Sequence, residues 1–363
     1  MKIVHRFLPF AIILIIIFIP GGSALSRPGL KVSLGAGYSD NLYADSFGLG
    51  NSYLYNNIGI SSAHFQKIRI RLFYDLSYYE YDTNNLINNF IHSPGLSIYR
   101  NARGSRFKWS FTTRGYIKKY TDELSTFDNN KIRFDLDASF YLKSGLRLKG
   151  GYQGELSSYT EYSVLENARH LVDIEISKTF TSRTTLNLAL AHTLRNFEEG
   201  DNTYKSTDIG LKLAQSINIR TGLSVAYLER FSSAGSRPLS TFYIISGVSA
   251  YWDSWEGRQA KLSLKRILPF AVLSKTEILW WNRKFNYDER ISQELAWLEG
   301  KSSRFDYGFA IYSFVRRQFN LKPRYGRYFA ALISAGYSDN RSDDDYYSFN
   351  NYYIECGLEY LVF

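Results

Sequence analysis

Few residues of this 363-residue chain could make or break bonds, and their types limit what that chemistry would be. The five histidines are His5, His64, His92, His170 and His192. A general base needs an imidazole within reach of a hydroxyl nucleophile and an orienting acid or amide. His92 beside Ser93, and His170 among acidic loop neighbours, are the two places where a hydrolytic site could be drawn. Neither spacing is specific to hydrolysis, so a solvated histidine is the preferred reading of both. Cys356 is the single cysteine, which excludes an intrachain disulfide, a cysteine-based zinc site and a dithiol pair. Asp343, Asp344 and Asp345 form a run that could hold Ca²⁺, but it lacks the spaced ligands and turn glycine of a dedicated calcium loop. It reads as a solvated acidic loop. No glycine-rich phosphate loop or His/Cys cluster occurs, and no metal or other cofactor is expected.

The basic residues offer binding chemistry instead. Arg69, Arg71, Arg106, Lys108, Arg133, Arg147 and Lys149 lie in or beside segments where apolar and polar side chains alternate. In one such segment Ile68, Ile70, Leu72, Tyr74, Leu76 and Tyr78 face one way, and Arg69, Arg71, Phe73, Asp75, Ser77 and Tyr79 face the other. In a second, Ile132, Phe134, Leu136, Ala138, Phe140 and Leu142 oppose Arg133, Asp135, Asp137, Ser139 and Tyr141. A period of two fits a strand and no helical period fits. One face of each strand therefore meets an apolar medium and the other a polar one.

The pattern recurs from Leu30 to Phe363, with connections that alternate between tight polar turns and longer Asp/Asn/Ser/Tyr-rich loops. All the long connections then lie at one end of the sheet. That is the reading of an all-β transmembrane antiparallel up-and-down barrel. Mean hydropathy is only −0.27, which a barrel reconciles because its interior-facing half is polar. Aromatic residues make up 17% of the chain and suit membrane interfaces. Ser144-Gly145 is expected to form one tight hairpin, while Leu268-Pro269-Phe270 is expected to break a strand. Counting segments gives about eighteen strands, with about sixteen as the fallback. The larger count includes a strand before a turn near Asp253–Gly257 and another at Ile291–Leu298, and it leaves no connection longer than about a dozen residues.

Ahead of the strands, Met1–Ala24 reads as a cleaved signal peptide, with Lys2 and Arg6 before the apolar Phe7–Ile19 and small residues at Gly22-Ser23-Ala24. Residues 25–363 then form one barrel domain. Ala36-Gly37-Tyr38-Ser39-Asp40-Asn41 recurs as Ala335–Asn340, and a useful strand-to-turn sequence is preferred to a binding motif as its explanation.

With both termini on the periplasmic side, acids such as Asp40, Asp128 and Asp343–Asp345 gather in outer loops, while Lys67, Arg69, Arg71, Arg106, Lys108, Lys143, Arg147, Lys149, Arg183, Arg220, Arg316 and Arg317 gather at turns and the lower lumen. A charge on the lipid face near the midplane costs about 2–4 kcal/mol, so strand charges should point inward. A ring of bases favours anions. Pairing with Asp75, Asp135 and Asp137 is an equally weighted alternative. The net charge of +10 could signal nucleic acid, but the bases are spread through strands rather than clustered, so no nucleic-acid partner is expected.

At the C-terminus, Tyr360-Leu361-Val362-Phe363 resembles the last strand of Gram-negative outer-membrane porins, which ends in Phe and serves as an assembly signal. Leu361 fits that family's alternation counted back from Phe363; Glu359 and Gly357 do not, and Tyr360, Leu358 and Cys356 carry the apolar row instead. The resemblance implies a porin-like outer-membrane channel passing solutes passively, with barrels for exopolysaccharide export as a narrower possibility. Its implied partners are outer-membrane lipid and lipopolysaccharide, the barrel-assembly machinery, and an anionic solute or polysaccharide. The chain is expected not to be an enzyme. A rim hydrolase and a structural or adhesive barrel with an occluded lumen stand as alternatives.

Overall fold

The strands pair in sequence order until the last meets the first, so no sheet edge is left open. The computed structural model describes residues 29–41, 50–65, 68–82, 88–100, 105–121, 125, 128–142, 145–161, 166–197, 203–232, 255–286, 303–321 and 327–361. Its sixteen strands are β1 (Gly29–Ser39), β2 (Asn51–Phe65), β3 (Arg69–Tyr81), β4 (Asn89–Arg100), β5 (Phe107–Tyr120), β6 (Asn129–Tyr141), β7 (Leu146–Tyr159) and β8 (Asn167–Thr179), followed by β9 (Thr184–Phe197), β10 (Thr203–Asn218), β11 (Thr221–Ser232), β12 (Glu256–Leu268), β13 (Val272–Asn286), β14 (Ser303–Asn320), β15 (Tyr328–Ser342) and β16 (Phe349–Leu361). Every neighbouring pair is antiparallel.

The count of eighteen is corrected to sixteen. β11 pairs directly with β12, and β13 with β14, so no further strand stands between them in the described sheet. The segments expected as strands before Asp253 and at Ile291–Leu298 both lie outside the described residues. The supposed turn at Asp253–Gly257 is not one of the tight turns, because Gly257 belongs to the outer end of β12. The expected limit on connection length falls with it: β11 ends at Ser232 and β12 begins at Glu256, and β13 ends at Asn286 and β14 begins at Ser303, so more than a dozen residues separate each pair. Pro269–Ala271 does interrupt the chain as expected, as a short turn between β12 and β13 with Phe270 at φ 60°. Gly145 adopts the positive φ, 74°, that the β6–β7 hairpin requires. The segment Met1–Ala24, Lys67, Lys143, Ser144 and Phe363 lie outside the described residues.

Cross-strand partners share a face, so the register assigns every strand residue to one of two sets. One set is apolar and points away from the barrel: Ile174 is 54% exposed and Leu190, its partner, 49%. Leu211, Val225, Ile311 and Ile354 continue this belt. Tyr38, Tyr307 and Tyr352 stand on it near the long-loop end; Phe107, Phe140 and Phe319 near the short-turn end. Two aromatic girdles bounding an apolar band are what a lipid bilayer selects on a barrel. No described helix is long and apolar enough to cross a membrane.

The other set faces the interior and is held by ion pairs between strands. The seam is the clearest case. Glu359 on β16 lies 2.6 Å from Lys31 Nζ on β1 and 2.9 Å from an Arg316 guanidinium nitrogen on β14, and accepts a 2.6 Å hydrogen bond from the Tyr328 hydroxyl on β15. This explains the departure of the last strand from the porin pattern: Glu359 and Gly357 face inward, while Leu358 and Cys356 face the lipid. The repeated hexapeptide flanks β16 on both sides. Tyr38 of one copy and Ala335 of the other are the two partners of Ile354. In each copy the glycine lies beneath a tyrosine ring and the final asparagine is buried, so its use is structural.

Candidate binding surface on the inner wall

Alternation within a strand decides which face a residue takes, and its distance from the strand end decides its height. Both are needed to see what the inner wall assembles. Near the outer ends of β10 to β15, cations and aromatic rings interleave. Arg230 forms two 2.7 Å hydrogen bonds to the Asp208 carboxylate and lies 4.4 Å from the Trp255 ring centre. Arg283 lies 5.2 Å from Trp255 and 5.1 Å from Trp281. Trp281 donates its indole N–H to Asn340 Oδ1 at 2.8 Å, and Asn340 in turn donates to the Tyr347 carbonyl at 2.7 Å. Arg304 sits between Phe285, at 4.0 Å, and Tyr347, at 3.6 Å, with Asp306 at 3.0 Å. Arg304 and Asp306 are each only 5% exposed. Burial pushes the Tyr347 phenol, in the turn beyond β15, above its ordinary value. Guanidinium groups on ring faces lose little further freedom when they meet an anion, and they present planar forks that match carboxylates and phosphates.

The register places most of the bases named from the sequence on the face opposite the apolar belt, with Arg317 an exception. Arg69 and Arg71 on β3, Lys108 on β5, Arg133 on β6, and Arg147 and Lys149 on β7 all belong to the inner set. Arg106 immediately precedes β5 and its carbonyl accepts the Tyr141 N–H. The structure separates them by height: Arg133 lies near the outer start of β6, the others toward the short turns. Much of their charge is matched. Arg133 pairs with Asp135 at 2.9 Å, Lys149 with Asp137 at 2.7 Å, Arg147 with Glu175, and Arg114 with Asp75 at 3.7 Å. Arg71 lies 5.5 Å from the Phe73 ring, and Lys108 4.8 Å from Tyr141. Bases are not confined to the lower wall, since Lys118, Lys131, Arg169, Arg195, Arg230, Arg283 and Arg304 line its outer part. Arg317, placed with the basic turns, faces outward against Phe270 and Phe319.

The histidines do not assemble a nucleophilic site. His92 and Ser93 are consecutive in β4 and project to opposite faces. His92 faces lipid and its Nδ1 is 2.6 Å from the Tyr74 hydroxyl; His170 repeats the arrangement with Tyr152 at 2.8 Å. His192 is also on the outward face, 3.0 Å from Thr207 Oγ1. Asp343 accepts the Phe305 N–H and so anchors the turn to β14, while Asp344 and Asp345 carbonyls accept N–H groups within it. Among the described residues no cluster of His, Cys, Asp and Glu could hold a metal ion.

Elsewhere on the inner wall, and at Trp281 within the stack itself, aromatic side chains lie flat over glycines. Tyr53 pairs with Gly37, Tyr55 with Gly35, Tyr353 with Gly336, Phe73 with Gly95 and Trp281 with Gly308. A Cβ at Gly37 would stand 2.4 Å from the Tyr53 ring, at Gly35 2.3 Å from Tyr55, and at Gly336 2.2 Å from Tyr353. The missing side chains therefore allow the rings to lie down instead of projecting into the lumen. Tyr53, Tyr55, Tyr79, Tyr81, Tyr353 and Glu355 line a cavity of about 500 Å³ there. Sequence reading missed these sets because face, height and strand neighbours must all be known to bring them together.

By sequence, the chain matches no described protein family and no curated protein. By structure it is similar to OccD3 (OpdP) of Pseudomonas aeruginosa, with TM-score 0.54 and 9% identity over 94% of this chain and 93% of that one. It is similar to OccAB1 of Acinetobacter baumannii, with TM-score 0.52 and 9% identity over 93% and 97% of the two chains. A bacterial polysaccharide outer membrane secretin gives TM-score 0.51 and 8% identity over 91% and 97%. The chain has the fold of outer-membrane porin-like barrels.

Proposed function

We propose that this protein is an outer-membrane channel for anionic solutes, acidic saccharides among them. The observation that carries the reading is the inner-wall stack in which Arg230, Arg283 and Arg304 are held against Trp255, Trp281, Phe285 and Tyr347. Sixteen strands enclose enough space for an aqueous passage. Bases on the wall of such a passage attract anions and repel cations. The lower-wall bases add to this field, although many bases of both sets are matched by carboxylates, Arg230 by Asp208 and Arg304 by Asp306 among them. The polysaccharide in one neighbour's name makes an acidic polysaccharide a cargo to test beside small anions. The outward girdles support lipid as the surrounding partner. The hydrolase alternative gains no support from the described histidines, which face away from the lumen.

Purified protein in planar bilayers tests this directly. Under a KCl gradient the reversal potential should report anion preference, and Arg230→Met with Arg283→Met should shift it toward cations. Absence of conductance, or cation preference in the unmodified protein, would overturn the reading.

A further inference from the structure

We infer that the tyrosine cavity beside the seam is a saccharide subsite, which takes a pyranose ring bearing hydroxyl or amine donors. The inference deepens the channel reading and rests on it. Its first basis is shape. Tyr53, Tyr55 and Tyr353 lie over Gly37, Gly35 and Gly336, so ring faces and not ring edges form the wall. An aromatic face is the negative side of its quadrupole, and the polarised axial C–H groups of a pyranose are its complement. A cavity of about 500 Å³ accommodates a sugar unit and falls in the range of ligand sites.

The second basis is hydrogen-bond polarity. The Tyr53 hydroxyl donates to Glu355 Oε2 at 2.9 Å, and the Tyr55 hydroxyl donates to Glu355 Oε1 at 3.2 Å. A phenol has one proton, so both hydroxyls have only lone pairs left to offer. Together with the remaining lone pairs of Glu355, they make one acceptor-rich edge of this cavity, beside the Tyr79, Tyr81 and Tyr353 phenols, Ser39 and Asn351. It selects donors: the hydroxyls of an unsubstituted hexose or the ammonium of an amino-hexose. The arginine stack differs, because its guanidinium donors are interleaved with the Asp208 and Asp306 carboxylates.

The test uses the full barrel, in planar bilayers and, independently of conduction, in detergent with tyrosine and tryptophan fluorescence. Three probes are titrated: a neutral gluco-oligosaccharide, a glucosamine oligomer and a hexuronate oligomer. The first two should bind and interrupt the current. Tyr55→Ala should weaken both at least tenfold. Glu355→Gln, which keeps size and fold, should weaken the glucosamine oligomer more than the neutral one and leave the hexuronate oligomer unchanged. A conducting protein that binds neither neutral nor amine oligomer, or binds them unchanged in the Glu355→Gln variant, overturns the subsite while sparing the channel. A protein that does not conduct but binds both in detergent, with the stated losses in the variants, supports the subsite and removes the channel reading.

Discussion

Closing a barrel requires the first strand to find the last, and Glu359 is placed to hold that junction. It gathers Lys31 from β1, Arg316 from β14 and Tyr328 from β15 around one carboxylate on β16. Replacing it with Ala leaves two cations and a phenol on the inner wall without their shared acceptor. The Lys31 side chain is 43% exposed, so solvent screens that pair and it contributes about 0.5 kcal/mol. Arg316 and Glu359 are more enclosed, at 26% and 13%, and their contact together with the Tyr328 hydrogen bond contributes about 1 kcal/mol each. Glu359→Ala should therefore destabilise the barrel by about 2.5 kcal/mol, and Lys31→Met by about 0.5 kcal/mol. Urea titration of protein reconstituted in lipid vesicles, followed by tryptophan fluorescence, measures both. The midpoint should move while the slope stays, because no surface is added to or taken from the transition. An unchanged midpoint for Glu359→Ala refutes the seam clamp. So does a Lys31→Met variant as unstable as Glu359→Ala, since that would place the energy in the exposed pair.

Face assignment is tested by putting the same residue on both sides of neighbouring strands. Ile174→Arg on the lipid face should cost about 2–4 kcal/mol, whereas Ala189→Arg on the inner face should stay within about 1 kcal/mol, both read from urea midpoints. Gly336→Val would place a Cβ 2.2 Å from the Tyr353 ring and 2.8 Å from Tyr312. The rings must lift into the lumen, so single-channel conductance should fall while anion preference persists; equal conductance refutes the flat-ring account. Cys356 is exposed on the outward face. A lipid-soluble maleimide should label it faster than a charged one, and labelling should leave channel current unchanged.

The alternation of Ile68–Tyr79 and Ile132–Leu142 made the architecture legible, because a period of two states directly that the two faces meet different media. Strand number was harder to read. Strand-like composition in Thr241–Trp252 and Ile291–Leu298 does not reveal whether a neighbour exists to pair with, and pairing is settled by closure of the whole sheet. In the structure β11 reaches β12 and β13 reaches β14 without them. The cost of a charge facing lipid points strand bases inward, and Arg317, outward against Phe270 and Phe319, departs from that rule. Arg69, Arg71, Lys108, Arg147 and Lys149 stand toward the short turns, whereas Arg133 stands close to the outer start of β6. The arginine stack draws on Arg230, Arg283 and Arg304, which are far apart in sequence and meet only through register.

Passage through a channel needs binding favourable enough to admit a solute and weak enough to release it. The wall meets both demands by spreading its contacts. The stacked guanidinium groups have already given up much of their rotamer freedom, so meeting an anion costs them little more. No one of them is the whole site, because Arg230 on β11, Arg283 on β13 and Arg304 on β14 each stand against an aromatic ring. Rings laid on glycines add face contacts that are individually shallow. A single substitution among the three arginines should therefore weaken anion affinity by a modest factor, with conduction retained, and the losses should accumulate as more are replaced. Current blockade by a hexuronate oligomer checks this. If Arg283→Met alone abolished blockade, the wall would hold one dominant anion site, and the argument from repetition would fail.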